Sequence, residues 1–393
     1  MRIIAPFILV LLSATSVYGQ ANEHLWLQSR MTGNYYFPDL SSTEFWGYGL
    51  YTPPTPGPQI YLPGPLLRFN QGDTVNVHFL NNSPEQHTIH WHGLDVDQAN
   101  DGVPTTSSSV DPDSLRIYSF VCTNAGTFNY HCHVLTTLHL AMGMYGLFIV
   151  DPDSTRTRIY TNGPRYTKDY NWLSSEMNRN WNDNTLSPGL FTLYEATHVL
   201  LNGKSGSQLT TGAYDITGTT DDTIAVRLSN MGYGSVKFIF PPEANMSIHM
   251  SDGRAIPAPI VSDTIELFSG ERYTVLLNPD MYFTSTVQIE YTDQRTNLPI
   301  GTNVVPIIIQ GASLDELEGN DLFELIGNPV TEFLTLNVKS NEVKEIEIHN
   351  MMGQRVVRSS VNSGINVLPS FLAPGMYIIR SPQVTGTIRF IQQ

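Results

Sequence analysis

The chain is poor in cysteine, in charge and in long apolar runs. Only two cysteines, Cys122 and Cys132, occur among 393 residues, which excludes a disulfide-stapled scaffold. Charged residues make up 15% of the chain, and 36 acidic side chains outnumber 21 basic ones, giving a formal net charge of −15. That balance excludes nucleic acid and an anionic membrane surface as natural partners. Beyond residues 3–12 no apolar run approaches the roughly 20 residues that a membrane-spanning helix needs, so no transmembrane segment is expected.

The short apolar run has its own meaning. Arg2 precedes it and Val17-Tyr18-Gly19 follows, the layout of an export signal over residues 1–19 with the mature chain starting at Gln20. Glycine (30), proline (25) and tyrosine (19) are plentiful, which favours short strands joined by turns over long helices. The length suits two or three domains, each with its own core. The pattern predicts an all-β chain: a β-domain over 20–152, a second over 153–312, an acidic linker over 313–324 (Asp315, Glu316, Glu318, Asp321) and a strand-rich block over 325–393.

In the first domain, residues 34–37 and 45–50 read as strands and the proline-rich 51–65 as a rigid loop. Residues 74–80 alternate strictly, with Val75, Val77 and Phe79 facing a core and His78 on the solvated side. Further strands are expected at 115–121 and 144–150. In the second domain they are expected at 170–177, 198–201, 223–228, 236–240, 246–250 and 271–277, with 178–188 as loop and turns at Asn202-Gly203 and Asp252-Gly253. In the last block, 333–338, 346–348 and 374–379 suggest a small sandwich with a turn at 351–354.

Two stretches carry chemistry: His87-Thr88-Ile89-His90-Trp91-His92-Gly93 and Tyr130-His131-Cys132-His133, the latter continuing to His139, Met142 and Met144. Strand side chains alternate faces. His90 and His92 therefore share one face, as do His131 and His133, while Cys132 and His87 point the other way. A loop after the second strand can bring His139, and Met142 or Met144, over Cys132. A thiolate, two imidazoles and a weak thioether form a blue-copper ligand set. Zinc competes for His and Cys ligands, but it needs neither an axial methionine nor four outward histidines. Cys122 is then a small buried hydrophobe. A Cys122–Cys132 disulfide is the rival reading, and it leaves the histidines unexplained.

These residues resemble the multicopper oxidases, including laccases and related two-domain copper enzymes. The matching motifs are Pro63-Gly64-Pro65-Leu66-Leu67-Arg68, Gln71-Gly72-Asp73-Thr74-Val75, His90-Trp91-His92-Gly93, Asp101-Gly102-Val103-Pro104 and Gly126-Thr127-Phe128 ahead of His131-Cys132-His133. Leu201-Asn202-Gly203, residues 249–253 and Gly270-Glu271-Arg272-Tyr273 look like a second domain of the same kind. The resemblance implies two cupredoxin-like Greek-key β-barrels followed by a small C-terminal β-sandwich. It implies a type 1 copper on His87, Cys132, His139 and Met144, with Met142 as the alternative axial ligand. It also implies a type 2/type 3 cluster on His90, His92, His131 and His133, and Asp101 as an acidic neighbour that helps proton delivery. The last block resembles the sorting domain of the Bacteroidetes type IX secretion system, through Asn328-Pro329, Gly353-Gln354 and Pro374-Gly375-Met376-Tyr377. That implies export through the periplasm to the medium or the cell surface.

One departure bears on function. The family's cluster draws on four His-x-His pairs, whereas this chain has 11 histidines and only two such pairs. The second domain offers only His198 and His249. The expected activity is therefore a copper oxidase fed by a small reductant, with oxygen as acceptor and a homo-oligomer completing the cluster. A nitrite-reductase-like enzyme and a non-enzymatic copper-binding or electron-transfer protein are the alternatives.

Overall fold

The computed structural model describes residues 21–184, 191–311, 322–326, 330, 333–350, 354–369, 372–373, 375–383 and 387–392. The expected export signal, most of the acidic linker and the motif residues Asn328, Pro329, Gly353 and Pro374 lie outside them. The chain divides into two compact units, residues 1–311 and 312–393.

The first unit begins with two facing sheets. Strands β1 (Asn22–Tyr36), β2 (Ser42–Leu50), β4 (Thr74–Asn81) and β5 (Leu115–Val121) pair in the order β2-β1-β4-β5, and β3 (Gly64–Asn70), β7 (Tyr145–Asp151) and β6 (Gly126–His131) pair as β3-β7-β6. The alternation in β4 behaves as expected: Val75, Val77 and Phe79 are fully buried among Leu27, Tyr118 and Trp91. His78 differs from expectation. It is half-buried rather than solvated, because parallel pairing of β1 with β4 sets it beside Trp26.

Every residue of β6 is buried, although half of them are polar. Phe128 and Tyr130 enter the first core, while Thr127 and Asn129 face the second half of the unit. There Thr127 bonds the Thr274 hydroxyl and Asn129 accepts from the Ser229 hydroxyl. A strand enclosed on both sides needs partners for its polar face, and these bonds supply them. His131 continues that face by the period of two, which puts it at the seam between the halves.

The second half also pairs two sheets. One has the order β14-β13-β16-β11-β8-β9, from β8 (Lys168–Met177), β9 (His198–Leu201), β11 (Ile224–Asn230), β13 (Met246–Ser251), β14 (Arg254–Val261) and β16 (Arg272–Leu277). The other is β10-β18-β17-β12-β15, from β10 (Ile216–Thr219), β12 (Ser235–Ile239), β15 (Thr264–Leu267), β17 (Phe283–Thr292) and β18 (Pro299–Gln310). Trp172, Val226, Phe238, Val287, Ile289, Val305 and Ile307 form its core. The expected loop over 178–188 contains a short helix, Arg179–Asp183, capped by the Asn178 side chain on the Trp181 amide. Strands β10, β14, β15, β17 and β18 were not anticipated. β14 is an exposed edge with two prolines, and the buried set of β17 (Val287, Ile289, Tyr291) is interleaved with polar residues.

The unit over 312–393 pairs β19-β20-β23 with β22-β21-β24-β25. These are β19 (Phe323–Ile326), β20 (Phe333–Val338), β21 (Glu345–Asn350), β22 (Arg355–Ser360), β23 (Gly364–Pro369), β24 (Gly375–Arg380) and β25 (Thr387–Gln392). Leu334, Leu336, Ile346, Ile348 and Ile379 lie between the sheets. Phe323 and Glu324, expected in the linker, belong to β19, because Phe323 has a core position to fill.

A buried ionic cluster ties the two halves of the first unit together. Arg68 on β3 grips Asp151 at 2.5 and 2.8 Å and reaches Asp169 on β8 at 2.7 Å. Arg227 on β11, with no exposed surface, pairs with Asp169 at 3.0 Å and lies 3.6 Å from Asp151. Arg227→Ala leaves two carboxylates short of a cation in a water-poor seam, a loss of about 3–5 kcal/mol. The expected outcome is a clear fall in the thermal unfolding midpoint. Arg227→Lys should recover only part of it, since one ammonium cannot fork between two carboxylates.

Candidate metal centres

The two motif stretches meet through one pair of backbone hydrogen bonds. The His90 amide donates to the His131 carbonyl at 2.8 Å and the His131 amide returns to His90 at 3.0 Å. Neither 87–93 nor 132–133 is a regular strand, yet this bridge keeps the alternation. Ile89, Trp91 and Cys132 go into the core, and His90, His92 and His131 go the other way.

On the core side, Cys132, His87 and His139 form a closed group, all three buried with no exposed surface. Cys132 Sγ lies 3.6 Å from His87 Nδ1 and 3.1 Å from His139 Nδ1, and the two nitrogens are 3.3 Å apart. Ligand atoms that bind one ion at about 2.0–2.3 Å stand about 3–4 Å from one another, so these three donors fit a single metal ion. His139 sits on the short helix α1 (Thr136–Ala141), not on a loop as expected, and Trp46 packs edge-on against its ring at 5.5 Å. Met142 and Met144 are both fully buried in the same core. Met144 is the one held by the ligand residues themselves: its carbonyl accepts from the Cys132 amide (3.1 Å) and its amide donates to His139 (3.0 Å). The Met142 carbonyl instead accepts from Trp46. Cys122 is a buried free thiol, as is Cys132.

On the other side, His90, His92 and His131 bring their ring nitrogens within 4.8 Å of one another. His131 donates its Nδ1 hydrogen to the Cys132 carbonyl at 2.9 Å, which leaves Nε2 bare, 3.3 Å from His92 Nδ1. His90 donates from Nδ1 to Asp101, whose carbonyl is 2.9 Å and carboxylate 3.2 Å away. This outer partner fixes the tautomer in which Nε2 is free to ligate. His133 stands beside them, its ring 5.2 Å from His90 and 5.9 Å from His131, although it is not one of the three whose nitrogens all lie within 4.8 Å of one another. The second-half histidines have other contacts: the His198 ring lies tilted against Phe37 at 4.1 Å and His249 bonds the Ser247 hydroxyl at 3.0 Å.

Burial holds the imidazoles in the neutral form that metals bind. It pushes His87 and His131 down to about 3 and His92 and His139 to about 4. His139 contributes to the drop at His87, and the Arg272 guanidinium contributes at His92. The Cys132 thiol moves the opposite way, raised to about 11 by burial.

Three contributors were not read from the sequence. Glu85, half exposed, places its carboxylate 3.7 Å from the outer edge of His139. Arg272, almost fully buried, presses its guanidinium on Gly93, whose φ of +87° and lack of a Cβ make room for it. Gly270 in turn lies against the His92 ring. The motifs His90-Trp91-His92-Gly93 and Gly270-Glu271-Arg272-Tyr273 thus interlock across the seam, a pairing that spacing alone could not reveal.

A thiol raised to about 11 is protonated at neutral pH and must lose its proton to ligate. Copper loading of metal-free protein at pH 7 is therefore expected to release a proton at Cys132, measurable in weakly buffered solution. Cys132→Ser should lose that proton from the total.

Comparison with known families covers both halves of the first unit and the last unit. Multicopper oxidase models match residues 59–155 and 168–307, and a secretion system C-terminal sorting domain model matches residues 326–390. A copper resistance protein A homolog of Pseudomonas syringae pv. tomato is 27% identical over 262 residues, covering 56% of this chain and 43% of the relative. An L-ascorbate oxidase of Brassica rapa subsp. pekinensis is 28% identical over 250 residues, covering 56% and 42%. The chain thus spans less than half the length of these relatives. Among solved structures, the blue copper oxidase of Nitrosomonas europaea superposes with a TM-score of 0.61 at 26% identity, over 74% of this chain and 87% of that one. The paired all-β sheets of the first unit are accordingly of the cupredoxin type. The chain belongs to the multicopper oxidase family and carries a C-terminal secretion sorting domain.

Proposed function

We propose that this protein is an exported copper-dependent oxidoreductase. It takes electrons from a small reductant at a type 1 centre and passes them to a histidine-held copper site that reduces oxygen. The observation that carries this reading is adjacency. Cys132 belongs to one donor group and His131, the next residue, to the other, with the His131 ring bonded to the Cys132 carbonyl. Bound copper would supply the one-electron chemistry.

The chain's own residues divide the remaining work. His87, Cys132 and His139 would hold the first ion in an enclosed pocket, with the buried Met144 thioether as a further weak donor. The short covalent and hydrogen-bonded route from Cys132 Sγ to the His131 ring carries the electron. Asp101 orients His90, and its partly exposed carboxylate can pass protons between that ring and solvent. His90, His92, His131 and His133 hold the second copper site. Since neither His198 nor His249 joins the histidine group within one chain, a neighbouring copy of the chain completes the site in an oligomer, through a second such face or its own His249. The group of His90, His92 and His131 also suits a single ion and so a nitrite-reductase-like centre.

Sorting through the type IX route assigns the last unit to delivery, ending in the medium or at the cell surface. Removing residues 312–393 is expected to stop export while leaving copper content and thermal unfolding of the remainder unchanged, because the two units are separately compact. Loss of copper from the truncated protein would contradict that division.

Cys132→Ser is expected to abolish blue absorption and oxidase turnover together, since the charge-transfer colour requires the thiolate. His90→Ala combined with His133→Ala should lower copper per chain and oxygen consumption while the blue band persists. Unchanged copper in that double variant, or full oxygen reduction by a monomer in light scattering, would overturn the two-site oligomer. A single copper per chain, bound at Cys132, would leave an electron-transfer protein, and turnover with nitrite but not oxygen would favour the single-ion centre.

A further inference from the structure

The outer face of the sheet β2-β1-β4-β5 carries a second histidine cluster that shares no residue with either donor group. Parallel pairing of β1 with β4 puts Trp26 beside His78 and His24 beside Asn76. The inward alternates Val75 and Val77 are fully buried, so positions 24, 26, 76 and 78 face outward. His24 Nδ1 lies 2.9 Å from His78 Nε2, and Trp26 lies almost parallel to the His78 ring at 4.8 Å and 11°. His24 is exposed, and Trp26 and His78 are half-buried.

We propose that His24 and His78 form a solvent-facing site for a divalent transition-metal ion, copper(II) foremost, with water completing the coordination. Two nitrogens bonded at about 2.0–2.1 Å to one ion, and set at right angles around it, stand about 2.9 Å apart, which is the separation seen. Imidazole suits copper, nickel and zinc, and copper(II) binds most tightly of the divalent series while favouring a tetragonal arrangement with open water positions.

The backbone spacing of the two ligands is already set, and only their rings have to adjust. The two rings share one hydrogen between facing nitrogens; for an ion to bind, that hydrogen passes through solvent to the far nitrogen of its own ring, and both rings turn slightly so that their lone pairs converge on an ion beside the N–N line. Burial and the neighbouring His24 hold His78 below the usual imidazole range, so protons compete weakly at neutral pH. Trp26 fixes the His78 plane, and the ladder between β1 and β4 fixes the spacing. Asn76 is not a ligand, since its amide donates to Asn22 and the Glu23 carbonyl and its oxygen accepts from Ser119. The site therefore offers two neutral donors and no carboxylate, which makes it exchangeable, unlike the enclosed thiolate pocket at Cys132.

The test titrates copper(II) chloride into purified, copper-replete protein after dialysis against a chelator. One further copper per chain is expected, with a new axial EPR signal and quenching of Trp26 fluorescence, while the blue absorption and the thermal midpoint stay unchanged. His24→Gln and His78→Gln should each raise the dissociation constant of this ion by about tenfold or more. Trp26→Phe should keep the ion and lose most of the quenching. The proposal is overturned if the wild type takes up no additional copper, or if the double glutamine variant, folded by its unfolding midpoint, takes up the same amount with the same signal. None of these readouts depends on oxidase turnover, so failure here is separable from failure of the Cys132 assignment.

Discussion

The reciprocal backbone bond between His90 and His131 sets the register on which both donor groups depend. Side chains alternate along paired extended segments, so a slip of one residue would exchange the faces. Cys132 would then turn outward and His131 inward. With the bridge as found, the fully buried Ile89 and Trp91 pin the upstream segment, while Phe128 and Tyr130 pin the downstream one. Apolar packing thereby decides where four polar side chains point, and the metal-binding geometry is a consequence of core formation.

The second half of the first unit contributes walls to the histidine group. Its β11 and β16 supply hydroxyl partners for the polar face of β6, its Arg272 fills the space left by Gly93, and its Gly270 allows the His92 ring to approach. The ionic cluster of Arg68, Asp151, Asp169 and Arg227 holds these surfaces in place. Such a buried network adds little net stability, yet it is intolerant of losing one member. It suits a seam whose register must not drift, because the histidine group lies along it. This half has no His-x-His pair of its own, and its part in the site is that support.

Much of this was legible in one dimension. The strict alternation of residues 74–80, the paired Asn-Gly and Asp-Gly turns at 202–203 and 252–253, and the spacing of His87, Cys132, His139 and Met144 each carry their meaning locally. Both turn pairs adopt the positive φ values such dipeptides favour. Strand β14 was hidden, since an exposed edge with prolines lacks the usual apolar signal, whereas β17 carries the same period of two as residues 74–80, in Val287, Ile289 and Tyr291. His139 was expected on a loop because a six-residue helix buried by tertiary contact has too few turns to show a period.

The sequence by itself determined the all-β class, the two histidine-bearing segments, which side chains share a face, and the type of metal the thiolate, imidazole and thioether set would take, because these follow from alternation and ligand chemistry. Only the tertiary structure decided the rest. It showed that His90, His92 and His131 bring their nitrogens within 4.8 Å of one another, that Asp101 fixes the His90 tautomer, that Arg272 meets Gly93, and that His24, 54 positions from His78, shares a hydrogen with it. Each of these depends on elements far apart in the chain being brought within a few ångströms. Such contacts are set by sheet pairing and by the packing of one half on the other, and no local pattern encodes them.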